Sequence, residues 1–184
     1  MSTNTLVVGS IGAIAQRSGQ SIAVTFMSAE IIAIVDVSGS MATHDARDLQ
    51  SRYEVACQEM ATLQAKHPGA VAVVAFSDSA QFCPGGVPIF QAGGTDLAKA
   101  LRFVKVADGT VRFVVISDGH PDSADAAIEV AQTFTSRIDS VFVGSDPRGA
   151  EFLTRLSAAA GGQHSTVTVN DLCAQVETLL LAGV

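Results

Sequence analysis

The run Ile31-Ile32-Ala33-Ile34-Val35 has no polar position. A strand with one face in water alternates apolar and polar residues, so a run this uniform predicts a strand covered on both sides, near the middle of a parallel sheet. Residues 70–76 read the same way, and 111–117 are nearly continuous in apolar character. Between the first two runs, Tyr53, Ala56, Cys57, Met60, Leu63 and Gln64 recur at near-helical spacing, which predicts a helix over 52–66 that His67-Pro68-Gly69 stops. Residues 80–83 predict a short strand that Pro84-Gly85-Gly86 ends, and its short link to the preceding strand predicts a hairpin at the sheet edge.

The alternation continues to the end of the chain. Thr95 opens a predicted helix running to about Val106, and Asp122 or Ser123 caps one running to about Phe134. Residues 140–143 predict a fifth strand, 150–160 a helix ended by Gly161-Gly162, and 165–169 a last strand, with Asn170 or Asp171 capping a terminal helix. Strands separated by crossover helices predict an α/β fold: a doubly wound, mostly parallel sheet with one short antiparallel edge strand and helices on both faces.

The first 29 residues read as an extension of a domain spanning 30–184. Ile22, Ala23, Phe26 and Met27 have the spacing of an amphipathic helix packed on the sheet edge, and Leu6, Val7 and Val8 fit the start of a strand. Gly9-Ser10-Ile11-Gly12 lacks the third glycine and the later acidic residue of a dinucleotide-binding turn, so that reading is set aside.

Composition narrows the function. With 48% hydrophobic and 16% charged residues, the chain has enough apolar surface to fold. Its net charge of −7 and scattered basic residues leave no block able to neutralise phosphates, so nucleic acid is not an expected partner. Neither a signal segment nor a membrane span is expected, because Arg17, Gln20 and Glu30 interrupt the leading apolar stretch. Three cysteines, Cys57, Cys83 and Cys173, suit buried thiols in a reducing compartment, and a cytoplasmic location is expected. Six phenylalanines, Phe76, Phe82, Phe103, Phe113, Phe134 and Phe142, are expected in the core; Asp45, Asp48, Asp78 and Asp122 are expected in solvent, and His120 in an exposed turn.

The candidate chemistry lies at the ends of the predicted strands. Asp36-Val37-Ser38-Gly39-Ser40 follows the central strand, where open α/β sheets leave a crevice for ligands. Residues two apart in an extended loop face the same way, so Asp36, Ser38 and Ser40 can converge on one point. Such oxygen donors suit a hard cation, Mg²⁺ first, with Mn²⁺ or Ca²⁺ as alternatives. An Asp-x-Ser-x-Ser spacing alone arises by chance in about one chain of this length in twenty-five. Two further segments add weight: Gly93-Gly94-Thr95-Asp96 puts a hydroxyl at a helix start, and Ser117-Asp118-Gly119 puts a carboxylate after another buried strand.

Here the sequence resembles the von Willebrand factor type A family. The stretch from Ile34 through Asp36, Ser38 and Ser40 to Met41 is similar to the family's most recognisable motif; Ser51-Arg52-Tyr53-Glu54-Val55-Ala56 resembles its first helix, and Gly94-Thr95 and Ser117-Asp118-Gly119 complete the set. The resemblance implies a metal-ion-dependent adhesion site in which Ser38, Ser40 and Thr95 approach the cation through hydroxyls. Asp36 and Asp118 would hold it directly or through waters. It also implies a protein-binding module, not an enzyme, whose partner presents an Asp or Glu to the ion. A metal-dependent phosphate-ester enzyme would want a second acid two positions after the first, where Ser38 stands. An assembly subunit with an unused or partly used site is the other alternative.

Overall fold

The computed structural model describes residues 6–45, 47–165 and 172–181. Its centre is β1 (Ile31–Asp36), every residue of which is buried. The physical reason is that both faces are covered. Ile32 and Ile34 join one apolar cluster, while Ile31, Ala33 and Val35 join another on the opposite side. Neighbouring strands β2 (Val71–Phe76) and β4 (Arg112–Ser117) pair with β1 in parallel and divide their side chains in the same way. Full burial of each Val or Ile contributes roughly 1.5–3 kcal/mol, so an unbroken apolar run is strongly held in this register.

Six strands form one sheet in the order β3-β2-β1-β4-β5-β6. All neighbours are parallel except β3 (Ala80–Phe82), which runs antiparallel to β2 at one edge. Strand β5 (Ile138–Phe142) begins two residues before the predicted position. The sequence signal was masked by Asp139, a fully buried acid that Arg137 pairs and that accepts the Gln163 N–H at 2.7 Å. The last strand, β6, is His164–Ser165, so the predicted 165–169 strand and the Asn170 or Asp171 cap fall mainly outside the described residues.

Helix α3 (Arg52–Lys66) packs against α7 (Leu172–Leu181), and Val55, Ala56, Met60 and Leu63 of α3 share one cluster with Val176 of α7. Helices α4 (Leu97–Val104), α5 (Ala124–Ala131) and α6 (Pro147–Ala159) carry the other face. Two of these differ from expectation. Helix α6 starts earlier because Asp146 caps it and Pro147 occupies its first turn, a start signal in its own right. Helix α5 ends earlier, at Ala131, after which Thr133 and Phe134 turn back onto the carbonyls of Val130 and Ala131.

Before the sheet come two short helices, α1 (Ile11–Ser18) and α2 (Ile22–Phe26), capped by Ser10 and Ser21. Ile11 is buried in the core, and Phe26 meets the ring of Phe82 edge-on at 5.4 Å. Residues 6–8 form no strand; Val7 instead donates to the carbonyl of Gly85, and Gly12 to that of Pro84. Of the six phenylalanines expected inside, Phe103 is 47% exposed, since it sits on the outer side of α4. The three cysteines are free thiols, with Cys83 and Cys173 buried and Cys57 partly so. Among the described residues no helix is long and apolar enough to cross a membrane.

Candidate metal centre

Three loops meet at the carboxyl ends of β1 and β4. The first leaves β1 at Asp36, a fully buried carboxylate. Its Oδ1 accepts the Ser38 N–H at 2.9 Å, closing the loop on itself, and its Oδ2 accepts the Ser117 hydroxyl at 2.6 Å. Ser38 and Ser40 share a hydrogen bond between hydroxyls, 3.2 Å apart, as expected of side chains two apart on one side of a loop. Ser38 opens the short 3₁₀ turn Gly39–Ala42, yet its side chain caps none of it. Turn formation alone therefore leaves that hydroxyl unexplained.

Hydrogen bonds stitch the loops together in pairs, two through the main chain and one through side chains. Gly39 N–H donates to the Gly93 carbonyl at 3.3 Å, joining the first loop to the second. Asp122 N–H donates to the Thr95 carbonyl at 3.0 Å, and Thr95 N–H to Asp122 Oδ1 at 3.0 Å, joining the second to the third. The third loop returns to the first through Ser117 and Asp36. Thr95 is buried, and its hydroxyl makes no hydrogen bond among the described residues; the backbone does the stitching. Nor does Thr95 cap α4, as the sequence reading allowed. Asp96 does, accepting the Lys99 N–H, because a carboxylate at that position also meets the positive end of the helix.

Two glycines permit the close approach. Gly93 has φ +92°, and a Cβ there would lie 2.1 Å from Asp78 Oδ2. Gly119 has φ +76°, and a Cβ there would lie 2.2 Å from the Gly149 carbonyl oxygen at the start of α6. At Gly119 any other residue would collide with backbone, while at Gly93 it would displace the Asp78 side chain and strain the positive φ. Asp78 and Asp122 are exposed, as expected, and each also holds a backbone N–H of the second loop: Asp78 accepts the Gly94 N–H at 3.0 Å. Asp45 likewise pairs with Arg52. His120 is half-exposed, with Nε2 3.5 Å from Asp146.

The electrostatics of the site are unbalanced. Burial pushes the Asp36 carboxyl up to about 6 from an ordinary 3.8, against hydrogen bonds from Ser117 and Ser38, and the charge of Asp118 adds to the rise. Asp118 is only 2% exposed. Arg52 reaches its Oδ2 at 3.2 Å, and its Oδ1 is buried with no hydrogen-bond partner among the described residues. An orphaned carboxylate oxygen and a second carboxylate that resists ionisation both call for positive charge. Among the described residues no three His, Cys, Asp or Glu side chains gather as a metal group. The donor set here is of another kind, two carboxylates with hydroxyls, which suits a hard cation that keeps several waters.

Sequence reasoning named Asp36, Ser38, Ser40, Thr95 and Asp118 as candidates and gave no site role to Ser117 or Arg52, which the structure places against Asp36 and Asp118. Ser117 could have been suspected as the hydroxyl before an Asp-Gly at a strand end. Arg52 reaches Asp118 across 66 positions of chain, and no local pattern signals that.

No family model matches the sequence, and no curated protein matches it. Solved structures do. An aerotolerance-related membrane protein from Bacteroides fragilis NCTC 9343, carrying multiple mutations to serine, is 16% identical; the match covers 82% of this chain and 97% of that one, with a TM-score of 0.63. A von Willebrand factor type A protein from Catenulispora acidiphila is 18% identical over 83% of this chain and 42% of its own, TM-score 0.61. The manganese-loaded TRAP protein of Plasmodium vivax is 14% identical over 84% and 74%, TM-score 0.57. At such identities the likeness is one of architecture: this chain has the fold of von Willebrand factor type A domains.

Proposed function

We propose that the chain is a metal-dependent protein-binding module, working in the cytoplasm, that grips an Asp or Glu of a partner protein through a divalent cation, Mg²⁺ first. The observation that carries this reading is the mutual stitching of the three loops around a buried carboxylate pair, one of whose oxygens has no partner. Ser38, Ser40 and Thr95 would present hydroxyls to the ion, and Asp36 and Asp118 would hold it directly or through waters. Support from outside comes from the shared fold of the manganese-loaded Plasmodium protein.

A divalent cation held here would supply an electrophilic point for a carboxylate from outside the chain. The chain's own residues set the terms of that contact. Neutral hydroxyls transfer little charge, and Asp36 is already engaged by Ser117 and Ser38, so these residues would satisfy a cation incompletely. The position a phosphotransfer enzyme would give to a second acid is Ser38, whose hydroxyl is bonded to Ser40. We therefore read the module as a binder and not a catalyst.

Calorimetric titration with Mg²⁺ or Mn²⁺ tests this directly on wild type and Asp36→Ala. Binding by wild type alone is expected; equal binding by both removes the site. A second reading, an assembly subunit whose site goes unused, draws on the Arg52–Asp118 pair, which already places a positive charge at the site. Affinity capture with Mg²⁺ and with EDTA separates the two, since a complex that survives chelation supports the subunit reading.

A further inference from the structure

Arg52 stands at the first position of α3, where a cation faces the positive end of the helix. Helix preference therefore does not explain it. Its backbone is fixed by the Ser51–Glu54 capping box, and its N–H donates to the Thr43 carbonyl at 3.1 Å. The guanidinium is 12% exposed and splits its donors between two acids. Nε and Nη2 donate to the two oxygens of Asp45, at 2.8 and 2.6 Å, while Nη1 donates to Asp118 Oδ2 at 3.2 Å. The other oxygen of Asp118 is the buried, unpartnered one.

We propose that Arg52 is the charge-setting residue of the cation site: by sharing Asp118 with the ion, it loosens the site's grip on the cation and strengthens its grip on an outside carboxylate. This rests on the metal-dependent reading above. A carboxylate that already gives one oxygen to a guanidinium has less negative charge to offer a second cation. A fixed positive charge beside the site opposes cation entry and favours anion entry, so one residue moves the two affinities in opposite directions. A residue that merely anchored α3 would move both the same way, or neither. Asp45 acts in the reverse sense, because it neutralises part of the guanidinium from the solvent side.

The test uses Mn²⁺ as the cation and acetate as the carboxylate, on wild type, Arg52→Met, Arg52→Lys and Asp45→Asn. Free Mn²⁺ is read by electron paramagnetic resonance, and acetate binding by the loss of water-proton relaxation enhancement as bound water is displaced. Arg52→Met should bind Mn²⁺ about three- to tenfold more tightly and acetate weaker by a similar factor, the scale at which one nearby charge acts. Arg52→Lys, which keeps the charge, should stay nearer wild type in both. Asp45→Asn, at a half-exposed position, should shift both affinities the opposite way, and it carries the test should Arg52→Met fail to fold. Affinities that move together, or that do not move, overturn the assignment of Arg52 alone. A wild-type chain that binds no Mn²⁺ overturns the cation reading itself, and Arg52's role with it.

Discussion

Replacing Asp36 by asparagine should make the metal-free chain more stable at neutral pH while abolishing its response to Mg²⁺. The Asp36 carboxyl ionises near 6 in the folded chain and near 3.8 when exposed. A folded value raised above the unfolded one contributes stability below the unfolded value, and that contribution is lost as pH rises through the folded one. About two units of difference corresponds to about 3 kcal/mol lost between pH 4 and pH 7. Asparagine does not titrate, so it escapes this loss. Its carbonyl can still accept the Ser38 N–H, and its amide can donate to the Ser117 oxygen, but Ser117 must then redirect its own proton. That rearrangement costs about 1 kcal/mol, leaving a net gain of about 1–2 kcal/mol at pH 7.5. Urea denaturation in EDTA at pH 5 and pH 7.5 measures it, and the difference between the two proteins cancels every other titrating group. Adding Mg²⁺ should then stabilise wild type alone. An asparagine variant less stable than wild type at pH 7.5 in EDTA, or one following the same pH curve, would refute the reasoning.

Other outcomes follow from the same geometry. Thr95→Ala should leave metal-free stability within about 0.5 kcal/mol of wild type, because Asp96 and not Thr95 caps α4, yet weaken Mg²⁺ binding in calorimetry. Asp96→Ala should do the reverse, lowering stability by about 1 kcal/mol with little effect on the metal. Gly119→Ala must place a methyl group 2.2 Å from the Gly149 carbonyl at φ +76°, and a loss of at least ~2 kcal/mol is expected, visible as a lower melting temperature in a thermal scan. Asp108 resists protonation: burial would raise its carboxyl, but Lys105 and the Thr135 and Ser136 N–H groups outweigh that and hold it far below the ordinary range. Asp108→Ala should therefore cost about 2 kcal/mol at pH 7, and urea denaturation at falling pH should show the deficit shrinking below the ordinary carboxylate value of 3.8.

How much of this was legible beforehand depended on whether the controlling forces were local. The uniform apolar run of β1 announced burial on two faces, and the two clusters that divide its side chains are the reason it reads that way. Helix α3 was bounded correctly at both ends, since periodicity and the His67-Pro68-Gly69 stop are both local. The Ser51–Glu54 capping box was readable too, though the periodicity had already placed the helix. Strand β5 was cut short because Asp139 looks like a breaker until Arg137 and Gln163 are seen to satisfy it, and Gln163 comes from a different turn of the chain. Of the candidate site, the sequence pointed to the strand ends and the residue types. The Ser117 hydroxyl on Asp36 and the Arg52 fork on Asp118 join residues 81 and 66 positions apart, and such pairs exist only once the sheet has assembled.

The pairwise hydrogen-bonded ties among the three loops also have a kinetic meaning. Loops fixed in this way lose their conformational freedom when the chain folds, so an arriving ligand does not have to order them. Association with a partner should then proceed in a single step at a rate set by diffusion and orientation, with no slow rearrangement before or after contact.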